Sequence, residues 1–185
     1  GSFEDKNEDG DFSPIDAVTA ALASDDPVGE VAAHVDLDAY RSAWAMEVLI
    51  GHWDSYSGNI NNFYLYVDPD DGQMHFIPWG IDAILKVREP FGEDSPTAIV
   101  ANAALPSALA ASSEERARYY EALDVLLAEV WDEDVLQARL DAAVALTADW
   151  VWPDGSAGGA WEDSVDELAD FIGSRRSVLA AERSG

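Results

Sequence analysis

The sequence predicts an α+β protein that is mainly helical, with one central β-hairpin. Three observations carry that expectation. Leu37, Tyr40, Trp44, Val48 and Leu49 recur at three-four spacing, the signature of one buried helix face. Two runs rich in strand-forming residues, NFYLYV and QMHFIPW, flank DPDDG, whose residues favour a tight turn. Three long segments in the second half, 113–130, 132–150 and 161–183, return to helical periodicity.

Taken in order, PIDAVTAALAS (14–24) reads as a short helix, with Pro14 in its first turn and Ser13 as its cap. Residues 36–53 form the strongly amphipathic helix just described. Residues 62–67 and 73–79 then pair as the hairpin. Residues 87–97 read as irregular, interrupted by Pro90 and Pro96. PDGSAGGA (153–160) reads as a flexible connector between the last two long helices. Acids at 132–134 and 162–167 fall at helix starts, where they suit the positive end of the helix dipole. Trp131, Trp150, Trp152 and Trp161 are expected as core or helix-packing anchors. His34 is expected at the surface and His75 on one face of the hairpin.

The chain has 185 residues, enough for a domain with a sizeable core. Its 37 acidic and 10 basic residues give a formal net charge of −27. Such a surface repels nucleic acid and anionic membranes and attracts cations. There is no cysteine, which excludes disulfides, thiolate metal sites and a cysteine nucleophile. No apolar run is long enough for a membrane span. The opening Gly1-Ser2 reads as a cloning remnant, and the chain as part of a longer protein.

The chemistry concentrates in HWDSYSGNINNFYLY (52–66). His52, Asp54 and Asn59 match H-x-D-x-x-x-x-N, the spacing of a phosphoryl-transfer catalytic loop. That chemistry needs a base beside the attacking hydroxyl and an amide oxygen, one short loop away, on the metal. A second acid after the next strand completes the metal site, and IPWGID supplies Asp82 there. The same residues also read as a turn capped by Asp54, with asparagines satisfying loop backbone groups.

GHWDSYSGNINNFYLYVDPDDGQMHFIPWGID resembles the CotH family, the spore-coat-protein-H-like atypical protein kinases. The shared features are the Asp-containing loop, the Asn before an NYYLY-like strand, an Asp-Pro turn and an IPWDxD-like end. FIGSRRSVLAAE resembles the family's closing helix, so the likeness runs from about Phe3 to Arg183. It implies the C-terminal lobe of a kinase-like fold over residues 17–185, following an acidic segment at 1–16. It implies Mg²⁺ and ATP as cofactors, a protein Ser/Thr hydroxyl as acceptor, and an extracellular, cell-surface or spore-associated setting. Asp54 would be the base, and Asp82 the metal acid with either Asn59 or Asn62. Gly80 stands where the family's pattern has the first Asp of its pair. No lysine sits in a strand ahead of Asp54: Lys6 lies in an acidic loop and Lys86 follows Asp82. The isolated chain is therefore expected to be inactive and the parent active. The rival is a non-catalytic, calcium-stabilised structural or coat-interaction module with a vestigial kinase site.

DKNEDGDFSPID (5–16) matches the calcium-loop pattern, with oxygen donors at alternate positions and Gly10 at the sharp turn. Asp5, Asn7 and Asp9 would give side-chain oxygens, Asp11 its carbonyl, and Asp16 the closing carboxylate. Such a loop is expected to bind Ca²⁺ weakly, at about 10⁻⁴ M.

Overall fold

The computed structural model describes residues 4, 6, 10–85, 98–150 and 158–183. Among the described residues eight helices and one hairpin follow in order: α1 (Ser13–Leu22), α2 (Pro27–Val31), α3 (Leu37–Leu49), α4 (Tyr56–Asn59), β1 (Phe63–Val67), β2 (Met74–Pro78), α5 (Ala104–Ala111), α6 (Ser113–Glu129), α7 (Glu133–Thr147) and α8 (Gly158–Arg183). Single 3₁₀ turns occupy Ile81–Ala83 and Ala148–Trp150. The mainly helical α+β class with one antiparallel hairpin is what the sequence predicts.

Helix α3 is the spine. Asp36 caps its start, accepting from the backbone N–H groups of Asp38 and Ala39. Leu37, Tyr40, Trp44, Val48 and Leu49 are all buried, as their spacing requires. Each contributes about 1.5–3 kcal/mol by leaving water. Trp44 packs on Tyr119 of α6 with the rings tilted and their centroids 4.2 Å apart. Their polar tips anchor the next segment: Trp44 Nε1 donates to the Val100 carbonyl at 2.6 Å and Tyr119 Oη to Ala98 at 3.0 Å. Arg41 and Glu115 form a buried ion pair between α3 and α6, with Nε to Oε2 at 2.8 Å.

The hairpin lies across α3. Its register pairs Phe63 with Pro78, Leu65 with Phe76 and Val67 with Met74. All of these side chains but the exposed Pro78 face inward, and Phe76 meets Tyr40 and Tyr56 at 4.8 Å each. Met74 fixes the tilt, because its N–H donates to His34 O at 2.8 Å and its carbonyl accepts from Asp36 N at 3.2 Å. Tyr64, Tyr66 and Ile77 stand on the outer face. His75 shares that face, as the alternation predicts.

Some elements escape the sequence reading. α2 and α4 are too short for a periodic signal, although Asp26 followed by Pro27 is a start signal for α2. α5 is nearly all apolar and lacks the polar contrast that reveals a face. Ser13 is not the cap of α1 but its first residue. Phe12 occupies the cap, and Asp11 Oδ1 accepts from the Ser13 N–H at 2.9 Å. Trp131 is buried and Trp161 half-buried, but Trp150 is 82% exposed, because α7 buries no side chain fully and its last turn projects into solvent. Trp152, the irregular stretch 87–97 and most of the 153–160 connector lie outside the described residues. Residues 158–160 belong to α8.

Candidate functional site

The site begins where α3 ends. The Gly51 N–H donates to Val48 O at 3.1 Å and the His52 N–H to Glu47 O at 2.8 Å, the paired bonds of a Schellman stop. The chain therefore leaves the helix with His52 turned inward. His52 is buried, and its Nε2 bonds the Gly80 carbonyl at 3.1 Å, tying the loop to the far end of β2.

Ser55 caps the short α4, accepting from Gly58 N at 3.3 Å. Gly58 is needed for close approach, since a Cβ there would lie 2.3 Å from the Trp53 carbonyl oxygen. Beneath the loop, Glu47 of α3 accepts from Ser57 twice, from N–H at 3.1 Å and from the hydroxyl at 2.6 Å. Burial pushes the Glu47 carboxyl above its ordinary value, and the bonds from Ser57 partly offset this.

Above this brace sits Asp54, half-buried between α3 and α4. Asn59 Nδ2 donates to its Oδ1 at 2.7 Å and Asn62 Nδ2 to its Oδ2 at 2.6 Å. Asn61 Nδ2 reaches both oxygens more loosely, at 3.4 and 3.3 Å. Three amides thus fix the carboxylate in orientation. The amide oxygens of Asn59 and Asn62 accept nothing from another described residue, so hard oxygen donors remain free for a cation.

The backbone around Asp54 is unusual. Ile60, Asn62 and Gly80 all have positive φ, at 58°, 51° and 65°. Asn tolerates that region, whereas a β-branched residue such as Ile60 does so at about 1–3 kcal/mol of strain. Gly80 lies against the Asn62 amide: a Cβ there would sit 2.6 Å from Asn62 Cγ. The glycine and the position of Asn62 are thus coupled.

Asp54, Asn59 and Asn62 come together in one loop. Asp82 is exposed in the 3₁₀ turn after β2, with no hydrogen bond or ion pair to another described residue. Asn62 has Nδ2 toward Asp54 and its side chain against Gly80. The oxygen-only set of Asp82, Asn62 and Asn59 fits Mg²⁺ in donor type.

For the calcium loop, Asp5, Asn7 and Asp9 lie outside the described residues. Asp11 is exposed, and the bonds from Ser13 hold its carboxyl below the usual range. Asp16 is exposed in the first turn of α1.

The sequence reading missed Asn61, Glu47, Ser57 and Arg175. Glu47 had a signal, because it is an acid three residues after Trp44 on the buried side of the helix. Arg175 of α8 is buried against the end of α3, with Nε donating to Leu49 O at 3.0 Å and a second nitrogen bonding Val48 O. Nothing local in α8 reveals that contact.

Comparison with curated proteins returns no match. The model of the family described as CotH kinase protein matches residues 3–179, nearly the whole length. The loop built on His52, Asp54 and the asparagines, the hairpin behind it and all but the last turn of the closing helix fall within that match, and the chain belongs to the CotH family.

Proposed function

We propose that residues 52–82 form the base-bearing and metal-facing half of a phosphoryl-transfer site that acts on protein Ser/Thr hydroxyls with ATP, in a secreted or cell-surface setting. The observation that carries this reading is the clamping of Asp54 by three asparagine amides on a loop braced from below. Asp54 would accept the proton of the attacking hydroxyl. Asn59, Asn61 and Asn62 hold its oxygens in orientation, so little reorganisation accompanies transfer. Asp82, with Asn59 or Asn62, would hold Mg²⁺, which supplies charge neutralisation at the phosphates.

One observation favours the rival reading, a non-catalytic module stabilised by calcium at residues 5–16. Gly80 replaces a carboxylate, and Asn62 fills the space that its Cβ would need. A net charge of −27 also opposes a nucleotide tetra-anion. Among the described residues Lys6 is exposed, paired with Glu4 and not part of a strand. We therefore expect no transfer from these 185 residues alone and transfer from a longer form that adds an ATP-gripping lobe.

Radiolabelled ATP assays on both forms test this. In the active form Asp54→Ala is expected to lower the rate by about 100-fold or more, a typical general-base contribution. Asp82→Ala is expected to do the same by weakening metal binding. Activity indifferent to Asp54→Ala, or no activity in the longer form, would favour the non-catalytic module.

A further inference from the structure

A second cluster of ligand-type side chains lies at the opposite end of the hairpin, away from Asp54. Asp68 ends β1, Asp71 stands in the turn and His75 is the second residue of β2. One donor atom from each lies within 4.8 Å of the others. Among the described residues this is the one place where three such groups converge. It differs from the acidic patches that a chain of this charge has elsewhere, because an imidazole nitrogen completes it.

We infer that Asp68, Asp71 and His75 form a divalent-metal site of the borderline class, with Zn²⁺ as its best-suited ion. Three features carry the inference. Each carboxylate spends one oxygen on the turn and keeps the other. Asp68 Oδ1 accepts from Asp70 N at 2.9 Å and Asp71 Oδ1 from Gln73 N at 2.8 Å. The turn is thus built without consuming both oxygens of either residue.

The imidazole also has an outer partner. Asp36 Oδ1 caps α3, while its Oδ2 lies 3.7 Å from His75 Nδ1. A carboxylate beside the ring helps to orient it toward a metal. Geometry completes the case. Zinc bonds of about 2.0–2.2 Å in a tetrahedron need donors about 3.3–3.5 Å apart. The donor atoms of Asp68, Asp71 and His75 already lie within 4.8 Å of one another.

A mixed nitrogen and oxygen set with an open fourth position favours zinc over calcium or magnesium, which take oxygen alone. Binding would close the hairpin turn and fasten it to the cap of α3. It would also offset the repulsion among Asp36, Asp68 and Asp71. This site involves none of the residues assigned to phosphoryl transfer, so the two ideas fail separately.

The test uses the tag-free chain and Zn²⁺ alone, with Mg²⁺ and Ca²⁺ at equal ionic strength as comparators. Calorimetry is expected to give one Zn²⁺ per chain and the melting temperature to rise. Of the ring signals of His34, His52 and His75, those of His75 alone are expected to shift. Asp71→Asn and His75→Gln are expected to weaken binding by 10-fold or more, and Asp36→Asn by about 10-fold. Both Asn changes preserve the backbone bonds, since an amide oxygen accepts as a carboxylate does. If a variant misfolds, the His75 signals of the native chain decide alone. Absence of saturable binding, binding that leaves the His75 ring unmoved, or variants that bind as the native chain does would overturn the inference.

Discussion

At the scale of single residues, the site is defined by polar groups placed where burial makes them costly. Glu47 is the clearest case. Burial raises its carboxyl from the ordinary 4.5, so the folded protein takes up this proton more readily than the unfolded chain. Above the raised value the ionised carboxylate opposes folding. As pH falls through that value toward 4.5, this opposition is relieved. Below the unfolded value the contribution is constant. Glu47→Gln keeps an acceptor for Ser57 and removes the charge. We expect the variant to be at least as stable as the native chain at pH 7. The native chain should then gain on the variant as acid is added above pH 4.5. Denaturant titrations of both proteins across pH measure this difference, and the shared background of other acids cancels. A native chain that instead gains on the variant as pH rises would mean that the Ser57 bonds outweigh burial. The cluster above Glu47 was legible because the spacing from Asp54 to Asn59 and Asn62 survives in the linear sequence. The third amide, Asn61, was not, since its role depends on the positive φ of its neighbours Ile60 and Asn62.

At the scale of elements, α3 and the hairpin were readable because each carries its own period, and burial follows that period residue by residue. What the period omits is how one element ends against another. The last turn of α3 leaves carbonyls at Val48 and Leu49 that Arg175 satisfies from 126 positions away along the chain. That guanidinium also lies 5.0 Å over the Phe171 ring. Burial lowers its pKa from the ordinary value, and Glu182 opposes the shift. The C-terminal helix thus acts as a distant cap for the helix that launches the Asp54 loop. Arg175→Met fills the space but strands the Leu49 carbonyl, and it leaves the Val48 carbonyl only the Gly51 N–H. We expect a loss of about 3 kcal/mol, from charged hydrogen bonds to buried acceptors. Arg175→Lys is expected to recover part of it, because a point charge cannot reproduce the planar fork. Amide exchange should quicken at Gly51 and His52 in Arg175→Met before it does in the hairpin. Uniform quickening would mean that α8 supports the whole fold and not this junction.

For the molecule as a whole, the question is what the few positive charges do. Arg41, Arg118, Arg176 and Arg183 pair with acids, while Arg116 and Arg175 bond backbone carbonyls. Several of these contacts join helices: Arg41 joins α3 to α6, Arg176 joins α8 to Glu133 of α7, and Arg183 joins α8 to Asp124 of α6. The arginines thus hold the fold together, and the net charge of −27 remains largely unopposed at the surface. Added salt acts on both populations. It weakens the exposed pairs, each worth about 0.2–1 kcal/mol. It also screens the repulsion among all the remaining acids, whose range shrinks from about 30 Å at 0.01 M to about 3 Å at 1 M. The buried Arg41–Glu115 pair is largely insulated from either effect. With acids outnumbering bases nearly four to one, screening of repulsion should win. We expect stability to rise by about 1–2 kcal/mol between 0.01 M and 1 M NaCl, or about 4 °C in melting temperature for a domain of this size. The urea dependence should keep its slope, since salt alters charge interactions and not the area exposed on unfolding. A fall in stability over the same range would show that the interhelix arginine pairs outweigh the general repulsion, and the fold would then depend on its surface ion pairs more than on its aromatic core.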